Sequence, residues 1–503
     1  MSVSCCFFSR DLFKKNMTIL IKNGLLYDGA GSVPTQKNIL IKNGHIAKID
    51  SVFSHNAHKV IDATGSIILP GFIDVGSYAD KSFSLFWDPS QQNAVEQGIT
   101  TQIIGNDGVS IMPFSRASLE FVVPHTARSA IAHNWHSVKH FLAALHGKVA
   151  TNVGTLVGMR TVKTLVTKDE SRELNNKELE TLEHITKKSL LEGALGISIG
   201  YSRTTRENAP YYEIKDFIPI VENMKRVCVI HPPANNFSAA CEEIIQYTSK
   251  TSANIEISHT QTFLDSSSTN KKTFNFIETL SKTNYVHFDV FPFQTTPIHA
   301  YELLPDWLFG ENDVSITQKL IAPENKAKIM RRFASFEKLK LSVDAVADPM
   351  FQFFEGKTVS SIAENAGMSY GEAFLYLLKI TKFRIYFLAS SPKEKTIDAI
   401  FTHPQALFNW GRIGKPDGKT PFAFLRMIAE KGTIDLEKII EKMTSLPAKK
   451  YGIAKRGILA QGNYADILIV NNFELTHAFI NGIEIFEHGK IERRVFPGMA
   501  IMP

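Results

Sequence analysis

The 503-residue chain is 44% hydrophobic and 21% charged, with a formal net charge of +6. These values exclude a disordered or fibrous protein and leave a globular one, long enough for a large α/β domain with a smaller attachment. Its positive charge is spread rather than gathered in blocks, and no apolar run reaches the length of a membrane span, so neither nucleic acid nor a membrane is an expected partner.

Residues 1–16 lack the layout of a cleavable signal peptide and read as an N-terminal extension or a mis-assigned start. With that reading, and with four cysteines (Cys5, Cys6, Cys228 and Cys241) that form no disulfide framework, a cytoplasmic location is the expectation. Residues 18–27 and 37–50 each read as strand, Asn-Gly, strand, with turns at Asn23-Gly24 and Asn43-Gly44. Asn-Gly accepts positive φ at both central turn positions, which makes it a strong hairpin signal. A third strand is expected over 60–69, ending at Pro70-Gly71. The same grammar returns near the far end, with a strand over 465–470 and a hairpin over 476–486 around Asn481-Gly482. One small discontinuous β domain, residues 17–69 and 455–503, would then flank a middle domain of 70–454.

That middle alternates short apolar runs (101–104, 194–198, 227–231, 255–259, 286–290 and 385–389) with helical patterns such as 176–192, 237–250 and 436–444. Repeated strand–helix units imply a parallel sheet, and at this length an eightfold (β/α)8 TIM-type barrel is favoured. Chemistry in such barrels gathers at the C-terminal ends of the strands. The residues expected there are Asp107, His231, His259, Asp289 and Ser391.

His231 and His259 close successive strands, and two imidazoles so placed can converge on one metal; each is equally compatible with a hydrogen-bonded rim residue. Asp107, in Gly105-Asn-Asp-Gly108, would complete a two-histidine, one-carboxylate set, or simply cap a turn. His133, His136 and His140 share a helical face but lack a glutamate partner, and read as a surface helix. The string Gly414-Lys-Pro-Asp-Gly418-Lys-Thr is one residue short of a phosphate loop. Gly196-Ile-Ser198-Ile-Gly200 follows a strand as a nucleophile elbow would, but no oxyanion glycine run accompanies it.

Pro70-Gly-Phe-Ile-Asp74, coming after a small β domain, resembles the junction at which the barrel of amidohydrolases begins. Further stretches resemble the D-aminoacylase (N-acyl-D-amino-acid deacylase) family: 98–106, Glu192-Gly-Ala-Leu-Gly-Ile-Ser198, Ile257-Ser-His259, Asp289-Val-Phe-Pro-Phe293, 443–450 and 456–466. The resemblance runs in order over about 17–503 and implies an amidohydrolase-type barrel with a small β-sandwich domain built from both chain ends. It also implies a degenerate metal site. Gly76 and Tyr78 stand where the family has the two histidines of its more exposed metal position, and Asp107 stands where it has a bridging cysteine. His231 and His259 match the histidines of the tighter position. Ser391 is matched to the family's late aspartate, its catalytic base, and Gln405 to an arginine that grips the substrate carboxylate. Phe291 and Phe293 replace a Tyr-Pro-Tyr pair.

The resemblance therefore implies one zinc or other divalent metal at Asp107, His231 and His259, with the second position lost through Gly76, Tyr78 and Ser391. Gln405 and Phe293 are the expected substrate-binding positions, and Asp289 is an alternative catalytic carboxylate. The implied activity is hydrolysis of a non-peptide carbon–nitrogen (amide) bond in a small acyl-amino-acid-like ligand. Two alternatives stay open: a catalytically inactive ligand-binding descendant, and a metal-free enzyme using Ser198 or Ser391.

Overall fold

The computed structural model describes the chain except for residues 1–16, 53–54, 114–134, 168–173, 201–211, most of 233–250, most of 259–284, 294, 309–312, 347, 391–399, 412–417 and 433. Eight parallel strands form a nearly closed barrel: Phe72–Asp74, Ile99–Ile104, Asn152–Gly158, Gly196–Gly200, Val227–His231, Asn254–Ile257, Val286–Val290 and Ala406–Phe408. Both faces of each strand are covered, so the strands read as continuous apolar runs in which alternate residues serve two cores. Ile73, Ile103, Leu156, Leu195, Val229 and Leu407 point inward, while Phe72, Ile104, Val157, Ile197, Phe288 and Phe408 pack outward. Between the first and eighth strands the seam is bridged by the Trp410 N–H, which donates to Asp74 Oδ1 at 3.0 Å.

A nine-stranded sheet stands apart from the barrel and is built from both chain ends, from Thr18–Leu26 to Lys490–Ile491. Asn43-Gly44 and Asn481-Gly482 turn hairpins as expected: Lys42 pairs with His45 and Ile480 with Ile483. Asn23-Gly24 does not. Thr18–Leu26 is one strand with a register shift between Ile21 and Gly24, because the left-handed Asn23 (φ 61°) makes a bulge rather than a reversal. The strand expected over 60–69 is likewise two, Lys59–Asp62 and Ile67–Pro70. The sheet is tied to the barrel by buried polar groups. Arg456 pairs with Asp466, and Asn152 of the third barrel strand donates to Asp466 and accepts from Asn481.

The largest departure from expectation lies between the seventh and eighth barrel strands. The 385–389 run is not a barrel strand. It lies in Ile385–Ser390, the central strand of a three-stranded antiparallel sheet with Thr295–His299 and Ser342–Val346. Helices including Lys326–Ala334, Val359–Ala366 and Tyr370–Ile380 cover this sheet around a separate core that contains Phe333, Phe374, Leu377 and Phe387. The barrel is completed only afterwards, by Ala406–Phe408.

At the N-terminal end of the barrel, the short helix Ser445–Lys450 and the residues after it act as a plug. Lys450 Nζ donates to the carbonyls of Ile255 (2.5 Å) and Tyr285 (3.1 Å) and lies 3.1 Å from His287 Nδ1. The Tyr451 hydroxyl donates to Glu256 Oε1 at 3.0 Å. Burial pulls Lys450 down to about 7 and pushes Glu256, beside Asp289, well above the usual carboxylate range.

Candidate functional site at the barrel mouth

The loop after the second strand is shaped by backbone that tolerates no side chains nearby. Gly105 (φ 82°), Asp107 (φ 56°) and Gly108 (φ 74°) are all left-handed. A β-carbon on Gly200 would fall 2.0 Å from the Asp107 carbonyl oxygen, and one on Gly158 would fall 2.5 Å from that of Gly108. The glycines that close the third and fourth strands therefore let this loop lie directly on the barrel rim. Ser198 pins it from below: its hydroxyl donates to the Gly105 carbonyl at 2.5 Å and accepts from the Gly108 N–H at 3.0 Å. Ser198 is fully buried in mid-strand with both roles of its hydroxyl engaged, so Gly196–Gly200 is not a nucleophile elbow.

So held, Asp107 reaches the end of the fifth strand, where its Oδ1 lies 2.9 Å from His231 Nδ1. Its Oδ2 lies 2.5 Å from the Nζ of Lys81, a residue of the segment after the first strand. That ammonium also lies 4.2 Å from the centroid of the Tyr78 ring. Tyr78 in turn meets Tyr386 of the inserted sheet (centroids 5.9 Å apart), so the insertion leans over the same mouth. Asp80 accepts from the Gly105 N–H at 3.0 Å and is pushed up to about 6, chiefly by burial.

Of the residues expected at the site, Asp107 and His231 meet, while His259 and Ser391 lie outside the described residues. Ser391 was matched to the late aspartate through the likeness of Ala389-Ser-Ser391-Pro392 to the family's Ser-Asp-Gly string. The residues just before Ser391, Ile385–Ser390, form a strand of the antiparallel insertion, and the eighth barrel strand is directly followed by Asn409 and Trp410, neither of them a carboxylate. Gln405 immediately precedes the eighth strand, and its carbonyl accepts from the Phe288 N–H at 3.2 Å. Phe293, after the seventh strand, packs beside Trp410 with ring centroids 6.5 Å apart. Asp289 Oδ1 accepts from Asn409 Nδ2 at 3.2 Å, within a buried row that includes Asp74, itself pushed to about 7 by burial with the Asp289 charge adding.

Sequence reasoning missed Lys81, Asp80 and Asn409, which carry no motif and act through contacts 25 or more residues away. Only His140 lies on a helix, Val138–Leu145; His136 precedes it, both are exposed, and His133 lies outside the described residues. Among the described residues, a cluster of metal-ligand type (His477, Glu484 and Glu487) lies on the nine-stranded sheet, where Lys59 already pairs with both glutamates.

Donor atoms sharing one tetrahedral ion at about 2.0–2.2 Å lie roughly 3.3 Å apart. The 2.9 Å between Asp107 Oδ1 and His231 Nδ1 opens to that by a small rotation, so this half of the mouth fits a metal. A β-carbon at Gly76 would fall 2.2 Å from the Asn409 side chain, and Tyr78 presents its ring face to Lys81.

No protein-family model matches the chain. The N-acyl-D-aspartate deacylase of Alcaligenes xylosoxydans xylosoxydans is 25% identical over 475 residues, covering 91% of this chain and 86% of that protein. The N-acyl-D-glutamate deacylase of the same organism is 23% identical over 508 residues, covering 94% of each. Among solved structures, the zinc- and phosphonate-bound N-acyl-D-glutamate deacylase of Bordetella bronchiseptica matches with a TM-score of 0.74 at 21% identity, over 97% of this chain and 100% of that one. A D-aminoacylase described as having a binuclear metal centre, with one-metal activation and second-metal attenuation, matches with a TM-score of 0.74 at 18% identity, over 96% and 99%. The chain thus resembles D-aminoacylases along most of its length and has their amidohydrolase fold.

Proposed function

We propose that this D-aminoacylase-like amidohydrolase acts on the carbon–nitrogen (amide) bond of a small N-acyl-amino-acid-like molecule, using one divalent metal held by Asp107, His231 and His259. The supporting observation is the 2.9 Å approach of Asp107 to His231 across the mouth of a barrel shared with zinc-binding deacylases. Zinc is the expected ion, since a carboxylate and imidazoles suit it. When bound, it would lower the pKa of a water to about 7 and polarise the amide carbonyl. The chain's own residues prepare the place. Ser198 and the rim glycines fix the Asp107 loop, Lys81 balances the second carboxylate oxygen, and Phe293 and Trp410 present an apolar wall at the strand ends.

A second reading, a ligand-binding descendant without catalysis, is favoured by one observation: the described residues directly after the eighth strand, Asn409, Trp410 and Gly411, include no carboxylate. General acid–base help is worth roughly 10²- to 10⁴-fold, and its loss would leave binding intact. The two readings part in one experiment. Purified protein is assayed for zinc and for release of free amine from N-acyl-D-aspartate, N-acyl-D-glutamate and neutral N-acyl-D-amino acids, with Asp107→Ala as control. Hydrolysis that requires both zinc and Asp107 supports the enzyme. Ligand-induced thermal stabilisation without amine release rejects it in favour of the binding protein.

A further inference from the structure

A single carboxylate at the barrel mouth is divided between two partners. Asp107 Oδ1 faces His231 at 2.9 Å, and Oδ2 is held by the Lys81 ammonium at 2.5 Å. Lys81 is no surface residue reaching for a counter-ion. Its side chain is only 10% exposed and its ammonium rests against the Tyr78 ring, whose face attracts a cation. On the same side of the mouth, Asn409 fills the space beside Gly76, so no larger side chain projects there. A second divalent ion taking Asp107 Oδ2 would have to displace the Lys81 ammonium that already holds it.

We infer that Lys81 is a built-in cation that takes the place of a second metal, limiting the Asp107 site to one ion and weakening the hold on that ion. The charge of Lys81 repels a divalent cation a few ångströms away and withdraws one carboxylate oxygen from it, so both effects lower metal affinity. The inference rests on the single-metal reading only in taking the Asp107–His231 half as the place where a metal binds.

Zinc binding is measured by equilibrium dialysis against chelator-buffered zinc for the wild-type chain, Lys81→Met, Lys81→Arg and Asp107→Asn. Only zinc that disappears in Asp107→Asn is counted, which removes any bound at His477 and Glu484. The wild type is expected to hold no more than one zinc. Lys81→Met, neutral and of similar length, should bind it at least tenfold more tightly, and Lys81→Arg should return to within threefold of wild type. A second zinc in the wild type, or a Lys81→Met chain that binds zinc equally or more weakly, overturns the inference. Should Lys81→Met not fold, Lys81→Gln gives the same comparison. A wild type without zinc beside a Lys81→Met chain with one sinks the single-metal reading and leaves the inference standing. One zinc held with unchanged affinity in both does the reverse, and zinc in neither sinks both.

Discussion

Replacing Ser198 with alanine tests how the mouth is held. The Ser198 hydroxyl connects two backbone groups on either side of Asp107, donating to the Gly105 carbonyl and accepting from the Gly108 N–H. Alanine leaves both groups without this partner in a buried setting. A buried backbone group stripped of its partner costs about 1–3 kcal/mol, so Ser198→Ala, which strips two, should lose about 2–6 kcal/mol. Ser189 is a matched control. It is also buried, but its hydroxyl bonds only the Ile185 carbonyl within its own helix, and Ser189→Ala should stay within about 1 kcal/mol. Urea unfolding followed by tryptophan fluorescence gives both values, and zinc dialysis on the same samples should show Ser198→Ala binding more weakly as Asp107 loosens. A loss below about 0.5 kcal/mol would refute the argument. Loss of hydrolysis with stability and zinc binding intact would restore Ser198 as a nucleophile.

Three further outcomes follow from the geometry. Gly200→Ala puts a β-carbon 2.0 Å from the Asp107 carbonyl oxygen, a backbone atom that cannot swing aside, and should cost about 3 kcal/mol and weaken zinc binding with it; an unchanged urea midpoint would contradict this close approach. Asp74 is raised from 3.8 to about 7, so the folded state binds its proton more tightly than the unfolded state. Stability from this group is full below pH 3.8 and is lost as pH climbs through about 7, by up to about 4 kcal/mol at 1.36 kcal/mol per unit. Asp74→Asn, whose side-chain oxygen can still accept from Gly76 and Trp410, should flatten the pH 4–7 stability profile, and a profile as steep as wild type would exclude Asp74 as its source. Lys450→Met strips the Ile255 and Tyr285 carbonyls of a buried donor and should destabilise by about 2–5 kcal/mol; a variant as stable as wild type would mean the plug does not depend on that side chain.

Much of the architecture was legible along the chain because its signals are local. Alternating strand and helix patterns announced the barrel, and two of three Asn-Gly pairs turned hairpins. Asp107 and His231 were found because each closes a strand, and parallel strands deliver their ends to one mouth. Asn23-Gly24 misled because the same left-handed dipeptide serves a bulge as well as a turn, and strand pairing decides between them.

What tertiary structure alone decided is which surfaces meet. A short apolar run such as 385–389 has the same composition in a parallel barrel as in an antiparallel insertion, so only its hydrogen-bonded partners show that it left the barrel. Lys81 lies 26 residues from the carboxylate it pairs with, and Asn409 is folded onto Gly76 from the far side of the barrel seam. Local sequence could place an acid and an imidazole at one mouth. Whether a lysine would share that acid depended on distances that no local pattern encodes.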